Sequence, residues 1–198
     1  GSVRAAATAS QAEVLVYSLI SLAVLPEEGR KALLGLARAV RAAGGKVAFD
    51  GNYRPRLWQS ADEARLWRDW AAREADFGFP TLEDEEQIAG RALQPEEIAA
   101  TWRDAGCGEV VVKLGAQGCL LPNGALAPPH ATLQPVDTSG TGDAFGAAYL
   151  SCRLRGGTAE EAAQAGHELA AWVMMRSGAI PPRDHAAPYS LSVTALPE

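Results

Sequence analysis

Glu109-Val-Val-Val-Lys-Leu114 is a near-continuous β-branched run, and no other stretch constrains the fold as much. A strand without polar alternation needs cover on both faces, which is the situation of a central strand in a parallel sheet. Parallel neighbours must be joined by crossovers of helical length. The chain supplies both. Val14-Leu-Val-Tyr17 and Lys46-Val-Ala-Phe-Asp50 read as strands, and Phe77-Gly-Phe79 as a short one. Pro26 opens a predicted helix that Gly44-Gly45 closes, with Ala32, Leu33, Leu36, Ala37 and Val40 on its apolar face. Ala61 to Glu74 reads as a helix with Leu66, Trp67 and Trp70 on one side, and Leu82 to Gly90 and Pro95 to Gly106 as two more. Cys119-Leu-Leu121 and Ala125-Leu-Ala127 flank Pro-Asn-Gly, a hairpin signal. An alternating run from Ala131 to Val136 predicts a strand, and Ala144 to Arg155 a helix. Thr158 to Arg176 is a last helix, opened by a Thr158-x-x-Glu161 capping box. The expectation is an α/β three-layer sandwich with a mainly parallel sheet over residues 14–198. It follows an Ala-rich arm, 1–13, whose Gly1-Ser2 reads as a cloning scar.

A net charge of −6 with both signs mixed along the chain leaves no basic block for nucleic acid. No apolar run reaches membrane-spanning length and no signal peptide is visible. Cys107, Cys119 and Cys152 are odd in number and have no metal-ligand spacing. Reduced thiols in a cytoplasmic protein are expected, each packed as a small hydrophobe. His130, His167 and His185 form no pattern and are expected on the surface or on helix faces.

Ligands of open parallel sheets bind at the carboxyl ends of the strands. The candidates are therefore Ser18, Asp50 to Arg54, Pro80 to Glu85, Gly115 to Gly118 and Asp137 to Asp143. The last group begins Asp137-Thr-Ser-Gly-Thr-Gly-Asp-Ala-Phe145, a turn leading into a helix. Gly140 and Gly142 can take φ > 0 and let the backbone approach a ligand. Unpaired amides and the dipole at the helix start make an anion site. Asp143 at its mouth is either a helix cap or a base beside a bound anion. Arg54 and Arg56 are planar donor forks suited to carboxylate or phosphate, or else they pair with helix acids in a solvated loop. The carboxylates from Glu83 to Glu86 either complement a helix dipole or serve a metal. Lys113-Leu-Gly-Ala-Gln-Gly118 is either a ligand turn or an ordinary strand-turn-strand.

Asp137 to Phe145 resembles the C-terminal signature of the PfkB/ribokinase family of sugar kinases, D-T-x-G-A-G-D, with Thr141 where Ala is usual. The resemblance implies a ribokinase-like fold and ATP-dependent phosphoryl transfer to a sugar hydroxyl. By position, Gly140, Thr141 and Gly142 would stabilise the transferring group and Asp143 would be the catalytic base. Asp50-Gly-Asn-Tyr-Arg-Pro-Arg-Leu-Trp58 is similar to the D-x-N-x-R-x-x-L-W loop of 2-keto-3-deoxygluconate kinases. That assigns Arg54 and Asn52 to a sugar acid. Gly51 replaces the Pro common there, which should loosen the loop. Phe79 to Glu86 occupies the place of the family's N-x-x-E motif, which implies Asp84 and Glu85 near magnesium (Mg2+), with Thr81 at the first position. Lys113, Gly115, Ala116 and Gly118 look like the nucleotide turn, which Asp137, Gly178 and Ala179 would complete. Ser177-Gly-Ala179 resembles the segment bordering the adenine and a monovalent-cation loop, so potassium (K+) is implied too. Leu169, Trp172 and Val173 are pocket wall or core.

The resemblance runs from Val14 to Pro182. Family members begin earlier, with sugar-gripping residues and a small β lid. The expectation is thus a fold truncated at the N-terminus with impaired activity. The alternatives are a nucleotide-binding module or minimal scaffold without catalysis, and a self-associating fragment. The apolar run Val14 to Leu25 should seek cover, most simply in a homodimer through the sheet edge.

Overall fold

The computed structural model describes residues 11–131, 133–182 and 184–188. Most of the N-terminal arm lies outside them. The chain divides into two compact units, residues 1–115 with 122–124, and residues 116–121 with 125–198.

The first unit runs β1 (Val14–Ser18), α1 (Leu19–Ala23), α2 (Glu27–Ala42), β2 (Lys46–Asp50), α3 (Ala61–Arg73), β3 (Phe77–Phe79), α4 (Leu82–Ala89), α5 (Pro95–Ala105), β4 (Glu109–Val110) and β5 (Val112–Lys113). Strands β1 to β4 form a parallel sheet in sequence order. Tyr17 stands beside Phe49 and Phe49 beside Gly78. Val47, Ala48, Phe49 and Asp50 are all buried, as a doubly covered strand must be. β1 is an edge strand. Val16 is 62% exposed on it, and among the described residues no strand pairs with its other side.

The run from Glu109 to Leu114 is interrupted at Val111. Val111 N–H still donates to Gly78 O at 2.9 Å and Lys113 N–H to Pro80 O at 2.8 Å. The parallel register would have residue 80 donate back to Val111 O, and Pro80 has no N–H. One proline on β3's side therefore splits a continuous apolar run into β4 and β5.

The helix starts follow their caps. Ser18 and Ser21 form a capping box on α1, and the Ser60 hydroxyl accepts from Glu63 N–H on α3. The buried face of α3 differs from expectation. Ala64, Trp67, Arg68 and Ala71 are inside, whereas Leu66 and Trp70 are 47% and 38% exposed. The face keeps helical spacing, but one of its members is an arginine, which a search for apolar residues passes over. On α2 the buried residues are Leu34, Ala37 and Val40, and Ala32 is exposed.

Arg68 explains itself through Glu85. The two form a buried ion pair, and the other Glu85 oxygen accepts from Trp102 Nε1 at 3.0 Å. Burial pushes the Glu85 carboxyl above its usual range, and Arg68 and Trp102 hold it down. Trp102 also stacks on Phe49, ring centroids 5.3 Å apart.

The second unit holds β6 (Cys119–Leu120), β7 (Leu126–Ala127), α6 (Thr141–Leu154) and α7 (Ala159–Met174). β6 and β7 pair antiparallel as expected. The Thr158–Glu161 capping box opens α7. α6 and α7 pack where Gly166 leaves room for the Phe145 ring; a Cβ there would come within 2.7 Å of it. Leu169, Trp172 and Val173 are core, with Ala144 and Ala148 packed on them.

Two expectations fail here, the strand from Ala131 to Val136 and the burial of Cys152. Residues 133–136 are irregular rather than a strand, and Thr132 lies outside the described residues. Val136 is instead tied by its N–H to Met174 O at 2.9 Å. His167 is half-buried, with Nε2 2.9 Å from Ala127 O, and burial lowers its pKa. Cys152 is only half-buried, whereas Cys107 and Cys119 are buried thiols pushed up to about 12. No described helix is long and apolar enough to cross a membrane.

Removing Glu85 leaves buried Arg68 with only the half-exposed Asp69 as a partner, and Trp102 Nε1 without its acceptor. Glu85→Ala should therefore cost about 3–5 kcal/mol in urea unfolding, and Glu85→Gln, which still accepts from Trp102, clearly less. Equal losses in the two variants would mean that the Trp102 hydrogen bond carries nothing and the ion pair carries the whole effect.

Candidate functional site

In the first unit, β2 ends in Asp50, and both of its carboxylate oxygens lie 2.9 Å from Lys113 Nζ at the end of β5. The side chains are 12% and 13% exposed, so the two charges neutralise each other in a poorly solvated place. Lys113, expected beside a nucleotide, is engaged by Asp50. Asp50 Oδ1 also accepts Asn52 N–H at 3.1 Å, which turns the chain away from the sheet.

Gly51 does not loosen this turn. It is buried, its N–H donates to Phe79 O at 3.2 Å, and a Cβ would stand 2.9 Å from the Trp102 ring. Close packing requires glycine here, and a proline would lose the donor.

The loop then meets α4. Tyr53 N–H donates to Asp84 Oδ2 at 3.2 Å, and Arg54 Nη1 lies 3.7 Å from Asp84 Oδ1. Arg54 Nη1 also donates to Tyr53 O at 2.6 Å, yet its side chain remains 54% exposed. Pro55–Leu57 forms a single 3₁₀ turn. Trp58 is buried under the Arg30 guanidinium, 4.7 Å from its ring centroid. Arg54 thus sits on a loop anchored at both ends, with about half of its side chain exposed. Arg56 is exposed as well.

The two carboxylates expected near magnesium have different fates. Glu85 is spent on Arg68 and Trp102 and has no oxygen left for a metal. Asp84 is pushed up by burial and drawn down by the Tyr53 amide, Arg54 and Lys113. Among the described residues no group of three or more His, Cys, Asp or Glu is arranged to hold a metal. These residues do not form a protein cage for magnesium, an ion that commonly sits on phosphates and water with one or two carboxylates.

In the second unit, the turn before α6 has Thr138, Ser139 and Asp143 exposed and Gly140, Thr141 and Gly142 half-buried. Gly140 caps the helix with φ 73°, a left-handed conformation, and its Cα faces Ala179 so closely that a Cβ would overlap the Ala179 carbonyl. Gly142 does not have the expected positive φ. It lies in the first turn of α6, where its use is the absence of a side chain over the helix end. Asp137 ties the turn together, with Oδ1 accepting Ser139 N–H at 2.8 Å and Oδ2 accepting Gly178 N–H at 2.9 Å. Those two amides hold its carboxyl below the usual range. Thr141 Oγ1 is buried without a hydrogen-bond partner among the described residues, so the hydroxyl at the usual Ala position adds no bond. Asp143 is exposed in the first turn, beside the positive end of the helix. The arrangement fits a phosphate: a glycine turn tied down by Asp137, leading into a helix start.

The glycines at the end of β5 are unlike each other. Gly115 has φ 60° with open space around it and remains available for close approach. Gly118 has φ 97°, and a Cβ there would overlap Ala127 O, so hairpin packing accounts for it. Ala116 is exposed between them. A separate groove of about 300 Å³ between α2 and α3, lined by Lys31, Leu34, Arg38, Trp70, Arg73 and Glu74, contains none of these residues.

A family model described as pfkB family carbohydrate kinase matches residues 3–186. The 2-dehydro-3-deoxygluconokinase of Escherichia coli (strain K12) is 44% identical over 179 residues, which are 87% of this chain and 57% of that protein. Aminoimidazole riboside kinase from Salmonella enterica, solved with aminoimidazole riboside and an ATP analog, matches with TM-score 0.74 at 30% identity, over 84% of this chain and 57% of that one. A fructokinase double mutant from Vibrio cholerae O395, bound to fructose, ADP and a potassium ion, matches with TM-score 0.72 at 26% identity, over 84% and 55%. The chain spans about half the length of the relatives it matches.

Gly140→Ala tests the turn. It forces a Cβ onto Ala179 as well as a strained φ, whereas Gly124→Ala (φ 84°, nothing within 4 Å) meets only the strain. Strain alone costs about 1–3 kcal/mol. Gly140→Ala should lower the melting temperature well beyond Gly124→Ala; equal losses would remove Ala179 from the argument.

Proposed function

The chain belongs to the pfkB family of carbohydrate kinases, and from that premise we propose that it serves ATP-dependent phosphoryl transfer to 2-dehydro-3-deoxygluconate, the 2-keto-3-deoxygluconate named above. The observation that carries the reading is the turn before α6. Gly140 is locked in a left-handed cap, and Asp143 stands exposed one residue past Gly142. In this reading the first amides of α6 receive the charge that grows on the transferred phosphoryl group. The Asp143 carboxylate takes the proton of the attacking sugar hydroxyl as its oxygen bonds to the γ-phosphorus and the bond to ADP breaks. Arg54 receives the sugar carboxylate, with Asn52 beside it on the same loop. Gly115, Ala116, Gly178 and Ala179 border the nucleotide. Magnesium would come with the ATP phosphates, neutralising their charge, with water as its main protein-side neighbour.

A second reading is a nucleotide-binding module without turnover, in which Lys113 stays engaged by Asp50. ATP titration by calorimetry, followed by a coupled assay with ATP and 2-dehydro-3-deoxygluconate, separates the two. Binding with turnover supports the kinase, and binding without turnover supports the module. Absence of ATP binding defeats both.

Asp143→Asn keeps the shape of the side chain but cannot take a proton. Phosphoryl transfer should fall by about 10²–10⁴-fold, with ATP affinity within a few-fold of the parent. Turnover equal to the parent's would remove Asp143 as the base.

Arg54→Ala should lower kcat/KM for the sugar acid by roughly 10–100-fold, the size of a charge-assisted hydrogen bond, and spare a neutral sugar such as fructose. The comparison is made on whichever length of chain turns over. Equal losses on both substrates would move Arg54 to the phosphate.

A further inference from the structure

Asp84 is a largely buried carboxylate of the first unit's rim whose position is not explained by the core. Asp50 is neutralised by Lys113, and Glu85 belongs to Arg68 and Trp102. Asp84 is 14% exposed, and both of its described partners lie on the loop that carries Arg54: the Tyr53 amide at 3.2 Å and the Arg54 guanidinium at 3.7 Å. The separation in sequence is 31 residues, so neither contact follows from local geometry. Burial alone would favour a neutral Asp84, and the groups that hold its charge are the Tyr53 amide, Arg54 and Lys113. Its own placement is firm, because the next residue on α4 is Glu85, fixed by Arg68 and Trp102.

We infer that Asp84 is a positioning residue that clamps the Asp50–Trp58 loop and presents Arg54 to an anionic sugar, serving the loop rather than a metal ion. The inference rests on the reading of Arg54 as the sugar-acid contact. The two contacts differ in kind. The bond from Tyr53 N–H fixes the backbone just before Arg54. The longer approach to the guanidinium gives Arg54 a resting partner that a ligand carboxylate can replace, since the Arg54 side chain is 54% exposed although its Nη1 also donates to Tyr53 O at 2.6 Å. A carboxylate here thus shapes the empty loop and gives up only its weaker contact on binding.

Two substitutions separate these contributions. Asp84→Asn retains an oxygen for Tyr53 N–H and drops the charge; Asp84→Ala drops both. In metal-free buffer with chelator, hydrogen exchange at the Tyr53 amide, followed by NMR, should be roughly 10–100-fold faster in Asp84→Ala and change less in Asp84→Asn. Amides of β2 should keep their parental rates, which shows that the sheet is intact; if Asp84→Ala does not fold, Asp84→Leu, of similar size and also without an acceptor, carries the comparison. Parental exchange at Tyr53 in a folded variant that removes its bond, Asp84→Ala or Asp84→Leu, overturns the clamp. So does a parent whose Tyr53 amide speeds up on adding magnesium, because the ion would then be drawing Asp84 away. Gluconate, a stable sugar acid, is titrated into parent, Asp84→Ala and Arg54→Ala. Affinity about tenfold weaker in both variants supports the positioning role. If Tyr53 loosens in Asp84→Ala but Arg54→Ala binds gluconate like the parent, the clamp stands and the assignment of Arg54 to the sugar acid falls.

Discussion

The first unit depends on the space taken by one side chain, Trp102. Its ring lies where a Cβ would be at both Gly51 and Gly78, within 2.9 Å and 2.7 Å, so β2's exit and β3 can approach only because both positions are glycine. A buried indole needs an acceptor, since an unpaired N–H costs about 1–3 kcal/mol. Glu85 supplies it. A buried carboxylate in turn needs a cation, and Arg68 supplies that from α3. Each polar group is explained by the one before it, and the series ends on α4, one residue from Asp84. The packing of the core thereby determines where a rim carboxylate stands.

The strands and helices of the first unit were legible because burial on both faces leaves uninterrupted apolar runs, and caps such as Ser60 and Thr158 are local signals. What escaped had non-local causes. The break at Val111 comes from Pro80 on the neighbouring strand. The buried face of α3 includes Arg68, whose partner lies 17 residues away. Gly51 suggested slack when read alone and proves to be packed against an indole from α5. The alternation from Ala131 to Val136 suggested a strand, but alternation without a neighbouring strand specifies nothing, and Val136 is held by the end of α7.

The site was legible in a similar, partial way. Residue types near the strand ends were readable from the motifs, and Arg54 and Asp143 are exposed, as ligand contacts must be. The partners of those residues were not readable. Lys113 carries a charge that in sequence looks free for phosphate and in the structure neutralises Asp50. Glu85 and Asp84 are adjacent in a run of acids that looks uniform. A helix turn sends one inward to an arginine and leaves the other at the rim beside a loop amide.

Asp137 has one more consequence, for the order in which the chain folds. Its carboxylate joins its own turn to Gly178, 41 residues on, and Val136 and Asp137 both donate to Met174 O. Nine consecutive residues look like a local motif, one that could form by itself early. Their staples, however, come from beyond the far end of α7, so the turn closes only after α6 and α7 have docked and the loop entropy between them has been spent. A phosphate-sized ligand that prefers the closed turn therefore reports on the packing of the whole helical pair, although it touches only its first residues.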